Sequence, residues 1–391
     1  MLTRLRLLNY RSHGDTSATL KPLTVFVGKA GTGKSNLFKA LVLLQNSVNR
    51  ELIGLFPPGV YDFNSQRSRW ADEHAPLGIE VDIADPPGLT RTDARYMVKF
   101  AEAPAPIGLF VSEEILSRQE QGQNSEWVFR RHYKERMVRG FGAIDANAPT
   151  LLRLIRSRVL SPPPADSQTI DAVTQAISKI AYFHLEVNEL RKPGGNGESN
   201  KLGYSGENLP GFIEWTRSDP EGRGTYEKIL SEMQQVLPHL HSIVTSQVGD
   251  KTGLVFAFRD FRGGLIAPET SDGTLLTLGL LAVIHAPSRP NVLCIEEPET
   301  GLHPGRLRWL FDRLLELAYP RSGPAVQVLL STHSPYVLDF FHDMTDAVNI
   351  VDQVDGRTRI TSLQDSLAKH HIESPSATIG HEWAMGLFEG A

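Results

Sequence analysis

Four short runs of this chain carry residue types and spacings suited to phosphate chemistry. Residues 28–35 read GKAGTGKS, which fits the pattern G-x-x-x-x-G-K-[ST]. Gly28, Gly31 and Gly33 let the backbone curl around Thr32, so that successive N–H groups face phosphate oxygens. Lys34 offers a point charge to β- and γ-phosphates, and the Ser35 hydroxyl can ligate Mg²⁺. Asn36 stands at the start of the following helix, whose positive N-terminal end strengthens the anion site. The second run, NVLCIEEPE at 291–299, puts Glu296 and Glu297 directly after an apolar strand. Such a site needs one acid to hold magnesium through its water shell and another to polarise the attacking water. Side chains of adjacent residues at a strand end diverge, so Glu296 is assigned to magnesium and Glu297 to the general base.

The other two runs are more ambiguous. VQVLLSTHSP at 326–335 is an apolar strand ending in His333. That histidine either reaches the γ-phosphate or the attacking water, or caps the helix that Pro335 opens. SDGT at 271–274 precedes an apolar helix. Ser271 is an N-cap candidate beside Asp272, and Gly273 leaves backbone N–H groups open to an anion; taken alone, helix capping explains it equally well.

The elements that must position these groups follow from periodicity. Leu2, Leu5, Leu7 and Leu8 mark a strand, and Leu23–Val27 a second one ending at the glycine loop. Residues 36–48 have helical spacing, residues 78–83 alternate like a strand, and PPG at 86–88 breaks the pattern. Residues 226–236 read as a helix and 254–258 as a short strand. In the last third, 275–284, 307–318 and 337–341 read as helices between the apolar strands 291–295 and 326–330. Near-continuous apolar strands alternating with helices predict a mostly parallel sheet covered on both faces. Residues 100–182 differ: proline breaks and polar, charged segments of helical character predict an inserted, partly helical subdomain. Residues 193–197 (PGGNG) read as a surface loop.

Bulk properties narrow the class. With 391 residues, 40% hydrophobic and 22% charged, the composition is that of a globular chain with a sizeable core. No apolar run is long enough to span a membrane, and residues 1–15 lack the apolar region and cleavage site of a signal peptide. Cys294 is the only cysteine, which rules out an intramolecular disulfide and fits a reducing cytoplasm. A net charge of −5 leaves nucleic-acid binding to a local basic stripe.

Taken in order, GKAGTGKSN, SDGT, CIEEPETGLHP and STHSP resemble the motifs of ABC-type ATPase heads of the RecF/OLD/SMC-like group, and in particular its stand-alone "predicted ATPase" branch. The opening NYRSH, the stretch GENLPGFIEW and the ending GHEWAMGLFEG resemble that branch too. Coverage is most of the chain, with 100–182 the least matched. The resemblance implies an α/β P-loop NTPase of ABC-ATPase head type: a mixed sheet, a helical lobe and an inserted partly helical subdomain. The division would be 1–100 for the N-terminal ATPase part, 101–182 for the insertion and 183–391 for the signature-motif lobe and C-terminal ATPase part. It further implies ATP and Mg²⁺ as ligands and a head-to-tail homodimer with two ATPs at the interface. Each site would pair Gly28–Asn36, Glu296 and Glu297 with Ser271, Asp272 and Gly273 of the partner subunit. Gly301-Leu302-His303 would cross that interface. Arg11 and Ser12 lie where related heads touch the nucleotide, although an exposed strand end accounts for them almost as well.

Departures from the family pattern are few. Ala30 replaces the usual asparagine, Glu296 replaces the aspartate of ABC transporters, and no glutamine stands out for the Q-loop beyond a guess at Gln66. Neither heptad arms nor a Toprim nuclease domain are present, so a nuclease or other effector is expected on a separate polypeptide. The function expected is an ATP-hydrolysing switch in DNA repair or defence against foreign DNA. Alternatives are a non-hydrolysing ATP-binding module, a transporter ATPase and a small-molecule kinase. Arg130, Arg131, Lys134, Arg136 and Arg139, with Arg153, Arg156 and Arg158, make the insertion locally basic, which suits either DNA phosphates or a solvated helix face. His239 with His241, His370 with His371, and His381 lack the company of a defined metal site. Cys294 is expected in the core.

Overall fold

The computed structural model describes the chain except residues 58, 60–61, 85–92, 105–107, 120–125, 136, 139, 146, 196–198, 261–262, 370–378 and 387–391. The break at 86–88, part of the loop at 193–197, Arg136, Arg139, His370, His371 and the last residues of the GHEWAMGLFEG run therefore lie outside the described residues.

Seven long strands open the chain: β1 (Leu2–Tyr10), β2 (His13–Thr19), β3 (Leu23–Val27), β4 (Leu77–Ile83), β5 (Asp93–Ala103), β6 (Gly108–Gln119) and β7 (Glu126–His132). Helices α1 (Lys34–Asn49) and α2 (Phe63–Gln66) lie between β3 and β4. A small hairpin, β8 (Met137–Val138) and β9 (Gly142–Ala143), precedes α3 (Leu151–Arg156), α4 (Ser167–Ser178) and β10 (Ile180–Phe183). Next come α5 (Val187–Arg191), β11 (Gly194–Gly195), α6 (Leu209–Ser218), α7 (Arg223–Val236), β12 (Leu240–Val248), β13 (Lys251–Phe258), β14 (Gly264–Ile266) and α8 (Asp272–Ile284). The last third holds β15 (Val292–Glu296), α9 (Pro304–Ala318), β16 (Gln327–Thr332), α10 (Pro335–Asp339), β17 (Val348–Val354), β18 (Arg357–Ser362), α11 (Leu363–Lys369) and α12 (Ile379–Ala384).

Two six-stranded sheets organise these elements. One is antiparallel, in the order β2-β1-β4-β5-β6-β7; the other runs β10-β15-β16-β3-β17-β18. In the second, all neighbours are parallel except the β17–β18 hairpin. Its strands read as unbroken apolar runs because both faces are covered. Leu23, Val25 and Val27 of β3 and Leu293 and Ile295 of β15 join the core under α8 and α9. The alternate residues Phe26, Val292 and Cys294 join the core beneath α1 and the antiparallel sheet. Period-two alternation thus persists, with an apolar neighbour on either side. A third small sheet, β11-β13-β12 with β14 on β13, carries the helical lobe of α6, α7 and α8.

The helical character expected over 101–182 is confined to α3 and α4. Residues 108–132 instead extend the N-terminal sheet: β6 pairs with β5 from Ala103↔Gly108 to Asp93↔Gln119, and β7 pairs with β6. The boundary drawn at residue 100 falls inside β5. What hid the strands is chemical. Glu114 and Arg131 occupy fully buried positions, so an apolar alternation never shows. Strand β2 was likewise not anticipated, since HGDTSAT buries only His13, Thr16 and Ala18.

Candidate functional site

Parallel strands bring their C-terminal ends to one edge, and β3, β15 and β16 deliver the glycine loop, the acid pair and His333 there. Gly28 leaves β3 with its amide donating to Thr332 O at 3.3 Å. A Cβ on Gly28 would lie 2.1 Å from Val351 O, and one on Gly33, at φ 105°, would lie 2.2 Å from Thr358 Oγ1. Only glycine fits either position. Gly31, at φ 81°, has open space where its Cβ would be, as an anion cradle requires. The loop is held from behind by the β17–β18 hairpin, where Thr358 Oγ1 donates to Thr32 O at 2.7 Å. Buried His13 faces Gly33 O through Nε2 at 3.2 Å and Thr16 Oγ1 through Nδ1 at 2.7 Å. Since Gly33 O can only accept, Nε2 carries the proton. Burial, against the weaker pull of Gly33 O, lowers the pKa of this imidazole to about 4. Lys34 is buried, its ammonium donating to Gly28 O at 2.7 Å and Lys29 O at 2.8 Å. Desolvation depresses its pKa against the raising fields of Glu297, Glu299 and Glu296.

Glu296 is the most heavily supported side chain of the site. Tyr182 Oη donates to its Oε2 at 2.8 Å, Tyr204 Oη lies 3.5 Å away, and His184 Nδ1 is 3.0 Å away. Burial alone would raise this carboxyl; hydrogen bonds from His184, Ser35 and Tyr182 outweigh it and hold the pKa at about 2. The contact with Ser35 brings together the two groups expected to hold magnesium. Tyr182 is raised far above the ordinary phenol range, first by burial and then by Tyr204 and Glu296, so it stays a donor. Glu297 adopts φ 44°, a left-handed conformation that turns it away from its neighbour. His333 Nδ1 is 3.1 Å from Glu297 Oε1. The N-cap of α10 is Ser334, so His333 is not the helix cap and meets the acid instead.

The other expected residues divide. Ser12 accepts from Asn36 Nδ2 at 3.0 Å and donates to Thr358 Oγ1 at 2.7 Å, which places it against the glycine loop. Arg11 turns away: its Nε donates to Gln66 Oε1 at 2.9 Å. Gln66 itself is buried with Tyr10 and Arg11, and the residue that meets Glu296 from the neighbouring strand end is His184. Ser271 occupies the N-cap of α8, yet its hydroxyl bonds Thr274 Oγ1 at 2.8 Å and not the backbone. Asp272 pairs with Arg191, which also donates to Ala267 O, Pro268 O and Thr270 O. Ser271 and Asp272 are exposed, whereas residues 274–284 are buried. A Cβ on Gly273 would lie 3.1 Å from Gly301 O, so the SDGT turn and the segment at 301–303 touch within one chain. His303 caps α9 through Nδ1 and Gly305 N.

Sequence reasoning missed Tyr182, His184, Tyr204 and Glu299. Glu299 is half-buried, accepts from Thr332 Oγ1 at 2.5 Å, and leaves a shielded Oε2 unpaired; desolvation raises its pKa. The third acid of EEPE was the available signal. The expected basic cluster also divides. Arg131 is buried, donating to Pro149 O, Asp145 O and Ala148 O beside the buried Glu114. Arg153 pairs with Glu51, while Arg130, Lys134, Arg156 and Arg158 are exposed. Cys294 is buried, which pushes its thiol up out of the reactive range. His239 pairs with Asp260, and among the described residues no His/Cys/Asp/Glu group could hold a metal ion on its own.

The donor set suits a magnesium nucleotide. A glycine loop free of side chains at Gly31, a buried ammonium, a hydroxyl on Ser35 and an ionised carboxylate beside it are hard oxygen and charge donors for phosphate and Mg²⁺. Among the described residues no helix is long and apolar enough to cross a membrane.

Comparisons with known proteins agree. An "OLD nuclease" from Thermus scotoductus (strain ATCC 700910 / SA-01) is 23% identical over 354 residues, covering 87% of this chain. The chain spans only 60% of that relative's length. A crystal structure of an Smc head bound to the C-terminal winged-helix domain of ScpA superposes with TM-score 0.52 at 12% identity, covering 94% of this chain and 99% of the other. That likeness shows the fold, an ABC-type ATPase head of the RecF/OLD/SMC group. The model of the family described as "AAA domain, putative AbiEii toxin, Type IV TA system" matches residues 23–339, and the chain belongs to that family.

Proposed function

We propose that this chain is a Mg²⁺-dependent ATPase that works as a switch, closing head to tail with a second copy on ATP and reopening on hydrolysis. The observation that carries the reading is the convergence of Lys34, Ser35, Glu296, Glu297 and His333 at one strand edge. Magnesium, when bound, neutralises phosphate charge. Ser35 and Glu296 would hold it, with Tyr182 and His184 orienting the carboxylate. Glu297, steadied by His333, is the base that takes a proton from the attacking water. Lys34 would exchange its contacts with Gly28 O and Lys29 O for phosphate oxygens.

The exposed end of α8 is the natural second half of the site. A nucleotide bound by the loop of one subunit and by Ser271–Gly273 of the other favours the closed pair over the open one, and such differential affinity is what a switch requires. The relative named a nuclease motivates a role in DNA repair or defence against foreign DNA, with nuclease chemistry supplied by a separate partner. Arg130 on β7, an edge strand, and Lys134 in the turn after it are the DNA-contacting candidates. The deciding experiment is the mass of Glu297→Gln by light scattering, with and without Mg-ATP, beside phosphate release by the unaltered chain. An ATP-dependent dimer that does not hydrolyse, set against an active parent, supports the reading. A monomer in both conditions returns SDGT to a helix-capping role.

A further inference from the structure

A recess lies along α1, one wall of it formed by the tyrosines that reach Glu296. Its volume is about 380 Å³, the size of a small-molecule site. Lys39, Asn46 and Arg50 line it at helical spacing, joined by Arg11 from the β1–β2 turn and by Tyr182 and Tyr204. Three cations therefore share one recess. Among the described residues none of them has a carboxylate within ion-pair distance, whereas Arg4, Arg6, Arg95 and Arg118 of the neighbouring sheet are all paired. Like charges gathered without a directly paired acid repel one another; the charge of Glu296 tempers this at Lys39, and an anion in the recess makes the arrangement more favourable. The Lys39 pKa is lowered by burial and next by the charge of Arg11, which agrees with the geometry.

Two features of the recess narrow the anion. Lys39 lies on α1 and Arg50 caps its C-terminal end, eleven positions on and about 16 Å along the axis, too far to serve one phosphate group together. Tyr204 is 41% exposed and stands at the recess with its ring edge-on to Tyr182, 4.9 Å between centroids. A flat ring beside spaced cations is how proteins hold bases and phosphates together without reading sequence.

We infer that this recess binds a nucleoside phosphate, with phosphates on Arg11, Lys39 and Arg50 and the base against Tyr204. The ligand is either a free nucleotide or the end of a nucleic-acid strand. Binding stands apart from the ATP reading above; its effect on hydrolysis rests on that reading. The connection is short, because Tyr182 and Tyr204 both place their hydroxyls at Glu296 Oε2. A base packed on Tyr204 moves a phenol that holds the acid beside Ser35, so occupancy of the recess changes phosphate release.

The test uses the full chain carrying Lys34→Ala, with Mg²⁺, so that the glycine loop loses its phosphate-binding cation while the recess stays open to the probes. Fluorescently labelled thymidine triphosphate and a 5′-phosphorylated trithymidylate are titrated by anisotropy. Arg50→Glu and Lys39→Glu each weaken binding tenfold or more, while Arg321→Glu, an equal change of net charge at another exposed site, leaves it unchanged. Equal affinity for the two probes assigns the recess to a free nucleotide; tighter binding of the trinucleotide assigns it to a strand end. No saturable binding of either probe, or binding indifferent to both recess variants, overturns the proposal. Repeating the titration on the chain with Lys34 intact separates this outcome from binding at the glycine loop. Melting temperatures of the variants, matched to the parent, exclude misfolding.

Discussion

The strand-tip site and the tip of α8 both present groups suited to phosphate, but they are satisfied in opposite ways. At the strand tips the charges are answered from within: Lys34 by two carbonyls, Glu296 by two tyrosines, a histidine and a serine. At α8 the helix body is buried while Ser271 and Asp272 stand in solvent, braced from behind by Arg191. The first is a preorganised centre that needs no rearrangement of its acids to receive a cation. The second is half of a surface. On the proposed reading, the chain would hold the metal and base groups itself and leave to a second copy the step that couples nucleotide binding to assembly.

The sharpest way to break this comparison is Glu297→Gln, which is expected to slow phosphate release by about 10²–10⁴-fold while nucleotide binding persists. A rate within threefold of the parent would remove Glu297 as the base. The same inward-outward contrast applies to the arginines of β7. Arg131→Ala leaves Glu114 as a buried charge without its cation, and chemical denaturation should show a loss of about 3–5 kcal/mol. Arg130→Ala, on the exposed side, should change stability by no more than about 0.5 kcal/mol.

Acid titration probes the interior side of the comparison. The folded-state pKa of His13 lies at about 4, below its ordinary 6.5. As pH falls through that window the unfolded chain binds a proton that the folded chain refuses, so stability is full above 6.5 and declines toward 4. The shift corresponds to about 3 kcal/mol. Urea midpoints across this range should fall in the parent and fall less steeply in His13→Gln. Tyr182→Phe removes one donor from Glu296 and is expected to weaken Mg²⁺ dependence by about 10–100-fold, with the fold intact. The smallest effect on the single chain belongs to Asp272→Ala, about 0.5 kcal/mol or less on thermal unfolding. ATP-dependent association should nevertheless be lost in that variant, and a dimer of undiminished mass would make α8 a structural helix only.

How much of this was readable beforehand depended on whether residues act within one segment. Glu296 and Glu297 could be placed at a strand tip because four buried apolar residues, Val292–Ile295, precede them in unbroken order. The loop at 28–35 carries its own signature. Helix α8 announced itself by apolar content, although its start lay three residues earlier than the run at 275 indicated. By contrast, Tyr182 and Tyr204 meet Glu296 across 114 and 92 positions, and nothing local in either segment points to a carboxylate. The strands of 108–132 were hidden because a buried ion pair occupies positions where an apolar residue would have shown the alternation. Thr358 reached the glycine loop by a similarly distant route.

That last contact has a bearing on how the protein is made. Strand β3, which ends in the glycine loop, has as its two sheet neighbours β16 and β17, more than 300 residues downstream. Thr358 then pins Thr32 from the hairpin that follows. On the ribosome, the loop's own residues emerge about 300 residues before their partners. Contacts of such long separation are slow to form, and an apolar strand awaiting them is exposed meanwhile. Until those partners emerge, the nascent chain accordingly carries a nucleotide-binding sequence but no nucleotide-binding site.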